Sequence, residues 1–233
     1  MIDKAPVLSL EGVGFNWPGR TSFALQVPKF TMAAGETVLL LGESGSGKST
    51  LLSLICGTLV AQNGVVSVQG TDLAGLSAAA RDRFRAEQIG VIFQQFNLLP
   101  FGSVLDNILL PLRFAPDRRA RVARPKETAR QLIQTLGLAP ELTTARAGTL
   151  SVGQQQRVAA ARALIGQPPL IIADEPTSAL DAATQATFLD LLFTQSRANA
   201  TALLMVSHDA RLGDHFDRVV KMSDIAPPEG AVA

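Results

Sequence analysis

Cysteine, histidine and aromatic side chains are scarce in this sequence of 233 residues, and each shortage removes a class of function. A single cysteine, Cys56, leaves no disulfide framework and no cysteine-rich metal site. Histidine occurs only as His208 and His215, so chemistry that needs an imidazole must use one of those two. There is no tyrosine and one tryptophan, Trp17, in an aromatic fraction of 5%. That leaves too few rings to stack on the bases of single-stranded nucleic acid. Neither sign of charge dominates, because 21 basic and 20 acidic residues leave a formal charge of +1. A dedicated nucleic-acid surface is not expected from that balance. No apolar run reaches the roughly 18 residues that span a bilayer. The start, Met1-Ile2-Asp3-Lys4-Ala5-Pro6, lacks the basic-then-apolar build of a secretory signal. What remains is 47% hydrophobic and 18% charged, enough to bury the core of one large domain or of one domain with an inserted subdomain. The expectation is a soluble cytosolic globular protein.

Four short apolar runs stand out: Val38–Leu41, Ile89–Phe93, Leu170–Ala173 and Leu203–Val206. Each is nearly continuous rather than alternating, the pattern of strands covered on both faces in a parallel sheet. Helical spacing lies between them, at Leu51, Leu54, Ile55 and Thr58 and again at Val158, Ala161, Leu164 and Ile165. Strands alternating with helices predict an α/β fold wound on a mainly parallel sheet. Two stretches depart from that rhythm. Residues 7–37 mix strand-like pieces with Gly12, Gly14, Pro18, Gly19 and Pro28, which predicts a small N-terminal antiparallel β flap. Residues 96–166 are helical in pattern and read as an insertion between two sheet strands. The chain then divides into a core of 1–95 and 167–224, an α-helical subdomain of 96–166 and a tail of 225–233. Within the insertion, Arg113–Arg130 holds seven basic residues against Asp117 and Glu127. That run reads as a solvated helix and linker, or as a contact for anionic lipid headgroups. Cys56 reads as a small core residue and His215 as a surface histidine.

Gly42-Glu43-Ser44-Gly45-Ser46-Gly47-Lys48-Ser49 fits G-x-x-x-x-G-K-[ST] and follows the strand-like Val38–Leu41, with helical spacing after it. Its glycines let successive N–H groups face a phosphate chain, and the helix N-terminus adds partial positive charge. In that reading Lys48 reaches the outer phosphates, the Ser49 hydroxyl binds Mg²⁺, and Thr50 joins residues 42–49 in binding the nucleotide. The rival is a Gly/Ser-rich turn. No G-x-G-x-x-G follows a strand, which excludes a Rossmann site. A second apolar run ends in two adjacent carboxylates, Asp174 and Glu175. Ligands of parallel sheets gather at the carboxyl ends of strands, so Asp174 stands ready to share Mg²⁺ with Ser49, and Glu175 to polarise an attacking water. A solvated turn before Pro176 is the alternative.

Four shorter segments complete the pattern: Phe93-Gln94 at a strand end, Leu150-Ser151-Val152-Gly153-Gln154 opening a helix, Ser178-Ala179-Leu180-Asp181, and Val206-Ser207-His208-Asp209. With these in order around the phosphate loop and the acidic strand end, the chain resembles the nucleotide-binding ATPase subunit of ABC transporters over residues 7–224. The resemblance implies a P-loop NTPase (RecA-like) core, ATP and Mg²⁺ as cofactors, and a homodimer that sandwiches ATP between one phosphate loop and the other subunit's signature helix. It makes Gln94 the Q-loop glutamine and a metal and phosphate contact. Ser151, Gly153 and Gln154 become the signature residues, Asp181 the D-loop aspartate, His208 the switch histidine at the γ-phosphate, and Trp17 the ring that stacks on adenine. One departure is Val152, where the family's signature carries a glycine; a β-branched residue takes positive φ only at a cost of roughly 1–3 kcal/mol. Ordinary dihedrals are therefore expected at Val152, with Gly153 making the close approach. The segment Phe93–Pro100 with Asn107–Leu112 resembles the branch that serves lipoprotein release and macrolide export. In it a separate integral membrane permease is driven from the cytoplasmic face of the inner membrane. A cell-division relative in that branch, which governs cell-wall hydrolases without moving solute, is the alternative. Apolar residues from Phe96 to Phe101 are expected to help form a groove for the permease, to belong to the core of the helical insertion, or both.

Overall fold

In a computed structural model that describes residues 5–18, 24–178 and 180–227, the chain begins with strands β1 (Leu8–Asn16), β2 (Ala24–Met32) and β3 (Thr37–Leu41) and helix α1 (Lys48–Ile55). Strands β4 (Asn63–Val68) and β5 (Thr71–Asp72), helix α2 (Ala78–Gln88) and strand β6 (Ile89–Ile92) follow. A helical stretch comes next: α3 (Val104–Leu109), α4 (Pro116–Ala120), α5 (Pro125–Thr135) and α6 (Val152–Leu164), joined in part by 3-10 turns. The chain then runs through β7 (Leu170–Asp174), α7 (Ala182–Ala198), β8 (Ala202–Ser207), β9 (Arg218–Lys221) and the short helix α8 (Met222–Ile225).

The near-continuous apolar runs become the inner strands of one sheet, ordered β6-β7-β8-β3-β9, and every neighbouring pair in it is parallel. Successive side chains on a strand face opposite sides, and both sides here are buried. Leu39, Ile171, Ala173, Leu203 and Met205 pack with residues of α3, α5, α6 and α7 in one core. Val38, Leu40, Leu170, Ile172, Leu204 and Val206 pack on the other face with α1 and the flap. Each such Leu or Ile side chain removed from water contributes about 1.5–3 kcal/mol, which fixes both register and layer order.

The flap is antiparallel as expected, but it is larger than residues 7–37. Its order is β2-β1-β4-β5, so residues 63–72 close it from beyond the phosphate loop. Helix α1 also stops sooner than its spacing implies. Gly57 takes φ +66, turning the chain out of the helix and leaving Thr58 exposed rather than continuing the apolar face.

The basic run differs most from its sequence reading. Arg118, expected on a solvated helix, is 1% exposed. Its guanidinium donates to main-chain oxygens of Ala86, Ile89, Ala163 and Ile165, at 3.2, 3.3, 2.6 and 2.7 Å. Burial pushes it down to about 10, with Arg121 adding to the shift and Glu87 opposing it. The buried Glu87 carboxylate meanwhile accepts the N–H groups of Asp117 and Arg118. Arg118 thereby ties α4 to α2, β6 and α6. Phe96 meets the core reading and not the groove: a left-handed φ of +58 accompanies a ring only 7% exposed within the hydrophobic core.

Candidate active site

Parallel order sets the carboxyl ends of β6, β7, β8 and β3 side by side, and each is followed by chemistry. Gln94 comes after β6, Asp174 ends β7 with Glu175 next, His208 follows β8, and the glycine loop follows β3. The strand-end register puts Asp174 opposite Val206 and Leu41 opposite Ser207. A cavity of about 580 Å³ opens there, walled by Ser44, Gly45, Gly47, Lys48, Ser49 and Thr50 on one side. Gln94, Asp174, Glu175 and His208 line the other, with Trp17 at the edge.

Gly45 and Gly47 take φ of +82 and +97, the left-handed conformation that lets the loop wrap. At Gly42 a Cβ would lie 2.7 Å from Ser46 Oγ and 3.0 Å from Met222 Cβ, so the loop passes too close for a side chain. Lys48 Nζ donates to Gly42 O at 2.7 Å and Glu43 O at 2.6 Å. The ammonium therefore sits across its own loop, while the Glu43 side chain is exposed and outside the cavity wall. Trp17 Nε1 donates to Thr50 Oγ1 at 3.3 Å and its ring meets Phe15 edge-on at 5.3 Å, leaving the indole 38% exposed.

Glu175 is held in an unusual conformation. Its φ is +45, which costs a non-glycine residue about 1–3 kcal/mol. Three contacts hold the turn: Glu175 N–H to Val206 O at 3.0 Å, Ser178 N–H to Glu175 O at 3.3 Å, and Gln156 Nε2 to Pro176 O at 2.6 Å. The carboxylate is directed at His208, whose Nδ1 lies 2.7 Å from Oε2. The sequence offers no signal for this pairing across 33 residues, nor for Gln156 as the buried brace. Burial raises the Asp174 carboxyl above its usual range, the neighbouring Glu175 raises it further, and Lys48 partly offsets both.

These residues suit a magnesium–triphosphate. Ser49 hydroxyl, Asp174 carboxylate and the Gln94 amide oxygen are hard donors, and Asp174 is short of countercharge. Ser46 Oγ is buried with no hydrogen-bond partner among the described residues, inside a loop built to meet phosphate oxygens. No group of three or more His, Cys, Asp or Glu among the described residues is placed to hold a metal ion by itself. A bound cation would complete its shell with phosphate and water, as Mg²⁺ does.

Ser151, Gly153, Gln154 and Asp181 are not among the residues that wall this cavity. They form a second cluster of two helix starts. Ser151 caps α6 in a reciprocal box with Gln154: Gln154 N–H reaches Ser151 Oγ at 3.3 Å, and Ser151 N–H reaches Gln154 Oε1 at 2.9 Å. That leaves the N–H groups of Val152 and Gly153 as the donors of the helix tip with no partner among the described residues. Val152 is the first helical residue and is absent from the positive-φ positions, as expected. Asp181 caps α7 through Thr184, whose N–H and hydroxyl hold its carboxyl below the usual range. A Cβ on Gly153 would come 3.9 Å from Leu180 Cδ2, so the two starts adjoin.

Remaining expectations fall in place around these two clusters. Cys56 lies at the core edge, where burial pushes its thiol up to about 12. His215 is exposed and stacks on Phe193 at 6.3 Å. An adjoining groove of about 780 Å³ shares Ser49 and Asp174 with the cavity and is also lined by Phe93, Leu110, Pro111 and Phe114; Phe101, though 76% exposed, is not among its walls.

Comparison with known proteins agrees with this geometry. The family described as "ABC transporter" matches residues 25–178. The chain is 42% identical over 188 residues to an uncharacterized ABC transporter ATP-binding protein, YbbA, of Escherichia coli K12, covering 81% of each. It is 38% identical over 225 residues, 95% of each chain, to the lipoprotein-releasing system ATP-binding protein LolD of Bordetella pertussis. Among solved structures, the dimeric post-hydrolysis state of the ATP-binding cassette MJ0796 with ADP and Pi superposes with a TM-score of 0.79 at 31% identity, covering 92% of this chain and 93% of that one. The glycine loop, the carboxylate-bearing strand end and these relatives lead to one assignment: the chain belongs to the ABC transporter family, as an ATP-hydrolysing cassette.

Proposed function

We propose that two copies of this chain close on two Mg-ATP, each held between the Lys48 loop of one copy and the α6 tip of the other. The carrying observation is the separation of the two clusters: a phosphate cavity with its own lysine, and a helix tip elsewhere with two free N–H groups. One triphosphate reaches both only across a two-fold pair, in which each copy supplies what the other lacks. The dimeric cassette MJ0796 supports this reading.

In the proposed cycle Lys48 exchanges its two loop carbonyls for the outer phosphates, and Trp17 stacks on the adenine. Magnesium, held by Ser49, Asp174 and Gln94, supplies charge neutralisation for phosphoryl transfer. Glu175 orients and deprotonates the attacking water. His208, with protons on both ring nitrogens, donates Nδ1–H to Glu175 Oε2 and Nε2–H to the terminal phosphate. Asp181 joins the contact between the two copies. Hydrolysis removes the bridge and the copies part, a switch ordered by its ligand. Core segments 1–95 and 167–224 carry the phosphate cavity, and the 96–166 subdomain carries the α6 tip.

The groove at Phe93, Leu110, Pro111 and Phe114 is the site for a membrane permease, with Phe93 43% and Phe114 66% exposed at its mouth. No helix among the described residues is long and apolar enough to cross a membrane. The system is an export or mechanotransmission complex at the cytoplasmic face, a reading supported by the LolD relative and by a macrolide export ATP-binding/permease protein, MacB, of Rhodopirellula baltica at 40% identity. Glu175→Gln tests the core of it. That variant binds ATP, loses turnover roughly 10²–10⁴-fold and elutes as a dimer with Mg-ATP. A monomer that turns over at the normal rate refutes it.

A further inference from the structure

Phe96 and Asn97 take φ of +58 and +47, two successive left-handed non-glycine residues just past Gln94. Such a pair persists only where its surroundings hold it. Arg162 does so: Nη1 donates to Asn97 O at 2.7 Å and Nη2 to Phe96 O at 2.5 Å. The planar guanidinium thus meets two consecutive carbonyls, one from each terminal nitrogen, in a fixed fork that the single nitrogen of a lysine does not reproduce. Arg162 is 7% exposed, and both of these bonds go to main-chain oxygens. It sits on α6, the helix that begins at the free N–H groups of Val152 and Gly153. The same helix carries Gln156, which braces the turn beside Glu175 through Pro176 O. One rigid element therefore holds the loops of two cavity residues.

We infer that Arg162 is a positioning residue for hydrolysis: from α6 it clamps the Phe96–Asn97 turn and so sets where Gln94 stands at the nucleotide. This rests on the reading of Gln94 as a magnesium and phosphate contact. Movement of the α6 tip against the partner's nucleotide is then carried, through Arg162, to the glutamine on the chain's own nucleotide.

Trp17 is the single tryptophan and lines the cavity, so its fluorescence reports nucleotide binding without turnover. Arg162→Lys keeps the charge and loses the fork. Asn97→Val attacks the same turn from an exposed position, with a β-branched residue that resists positive φ. Both variants should keep the ATP dissociation constant within about threefold and lower kcat by about tenfold or more. Adding Arg162→Lys to Gln94→Ala should lower kcat by less than about a further twofold, because both act through one loop. Wild-type turnover in Asn97→Val, or losses that multiply in the double variant, overturns the clamp. A wild-type chain whose Trp17 signal ignores Mg-ATP overturns the reading of the cavity instead, so the two failures are distinct.

Discussion

The strand-end cavity and the paired helix starts differ in what their own chain already supplies. In the cavity Lys48 bonds two loop carbonyls, His208 bonds Glu175, and Trp17 bonds Thr50, while the buried Ser46 Oγ has no partner among the described residues. At the helix starts Ser151 and Gln154 cap α6 reciprocally and Asp181 caps α7 through Thr184, while the N–H groups of Val152 and Gly153 have no partner among the described residues. On the proposed reading the first region receives the triphosphate, and the second completes that site in the partner copy. A site divided this way can be assembled and taken apart by its ligand, because neither half closes without it.

The largest effect should come from the cavity itself. Lys48→Ala removes a charged donor to the outer phosphates, and a bond of that kind is worth about 1.5–3 kcal/mol. ATP affinity, read from Trp17 fluorescence, should fall about 10–100-fold, and retained affinity would break the assignment of the loop. A mixing experiment sharpens the comparison. Combined with Gly153→Ala chains, Lys48→Ala chains form heterodimers with one intact composite site. Turnover should recover to about a quarter of wild type at equal mixing, given random pairing. No recovery would mean that the two regions serve a single chain.

Next in size is the contrast within the helix tip. Gly153→Ala puts a methyl group where the partner's phosphate approaches, while single-chain ATP binding stays unchanged. Val152 is already helical, so Val152→Gly mainly weakens the first turn by about 0.5–1 kcal/mol. Turnover should drop about tenfold or more for the first and less than about threefold for the second. Equal losses would show that Gly153 does not make the close approach.

Why the cavity was readable in the sequence and its supports were not is a matter of locality. Strand ends announce themselves because an apolar run stops at a residue with chemistry: Leu41 before the glycine loop, Ala173 before Asp174 and Glu175, Ser207 before His208. The start of α6 is readable for the same reason, since Ser151 and Gln154 form a cap within four residues. By contrast, β4 joins the flap through pairing with β1 across the phosphate loop, and its Asn63-Gly64 start carries little strand propensity. Arg118 and Arg162 look like ordinary surface charge. Their burial follows from carbonyls that gather only when the ends of α2, β6 and α6 and the turn after Gln94 come together. The Glu175–His208 pair likewise exists only because β7 and β8 are neighbours in the sheet.

The smallest expected effect separates the energetics of the two regions. The folded chain raises the Asp174 carboxyl, so it binds that proton more readily than the unfolded chain does. Stability contributed by Asp174 therefore falls as pH rises from the usual carboxylate range through the raised value, and above it the cost of the buried charge is fully present. Asp174→Asn removes that cost. At neutral pH the apo variant should melt higher than wild type, and the difference should vanish in acid, where both side chains are neutral. Mg-ATP should reverse the order, because wild type gains a metal contact that the variant lacks. At the helix starts the Asp181 carboxyl is held down by Thr184, so Asp181→Asn should gain nothing at neutral pH. Thermal melts of both variants across pH, with and without Mg-ATP, check this. If apo Asp174→Asn melts no higher than wild type at neutral pH, the cavity does not carry the uncompensated charge that makes it want a cation.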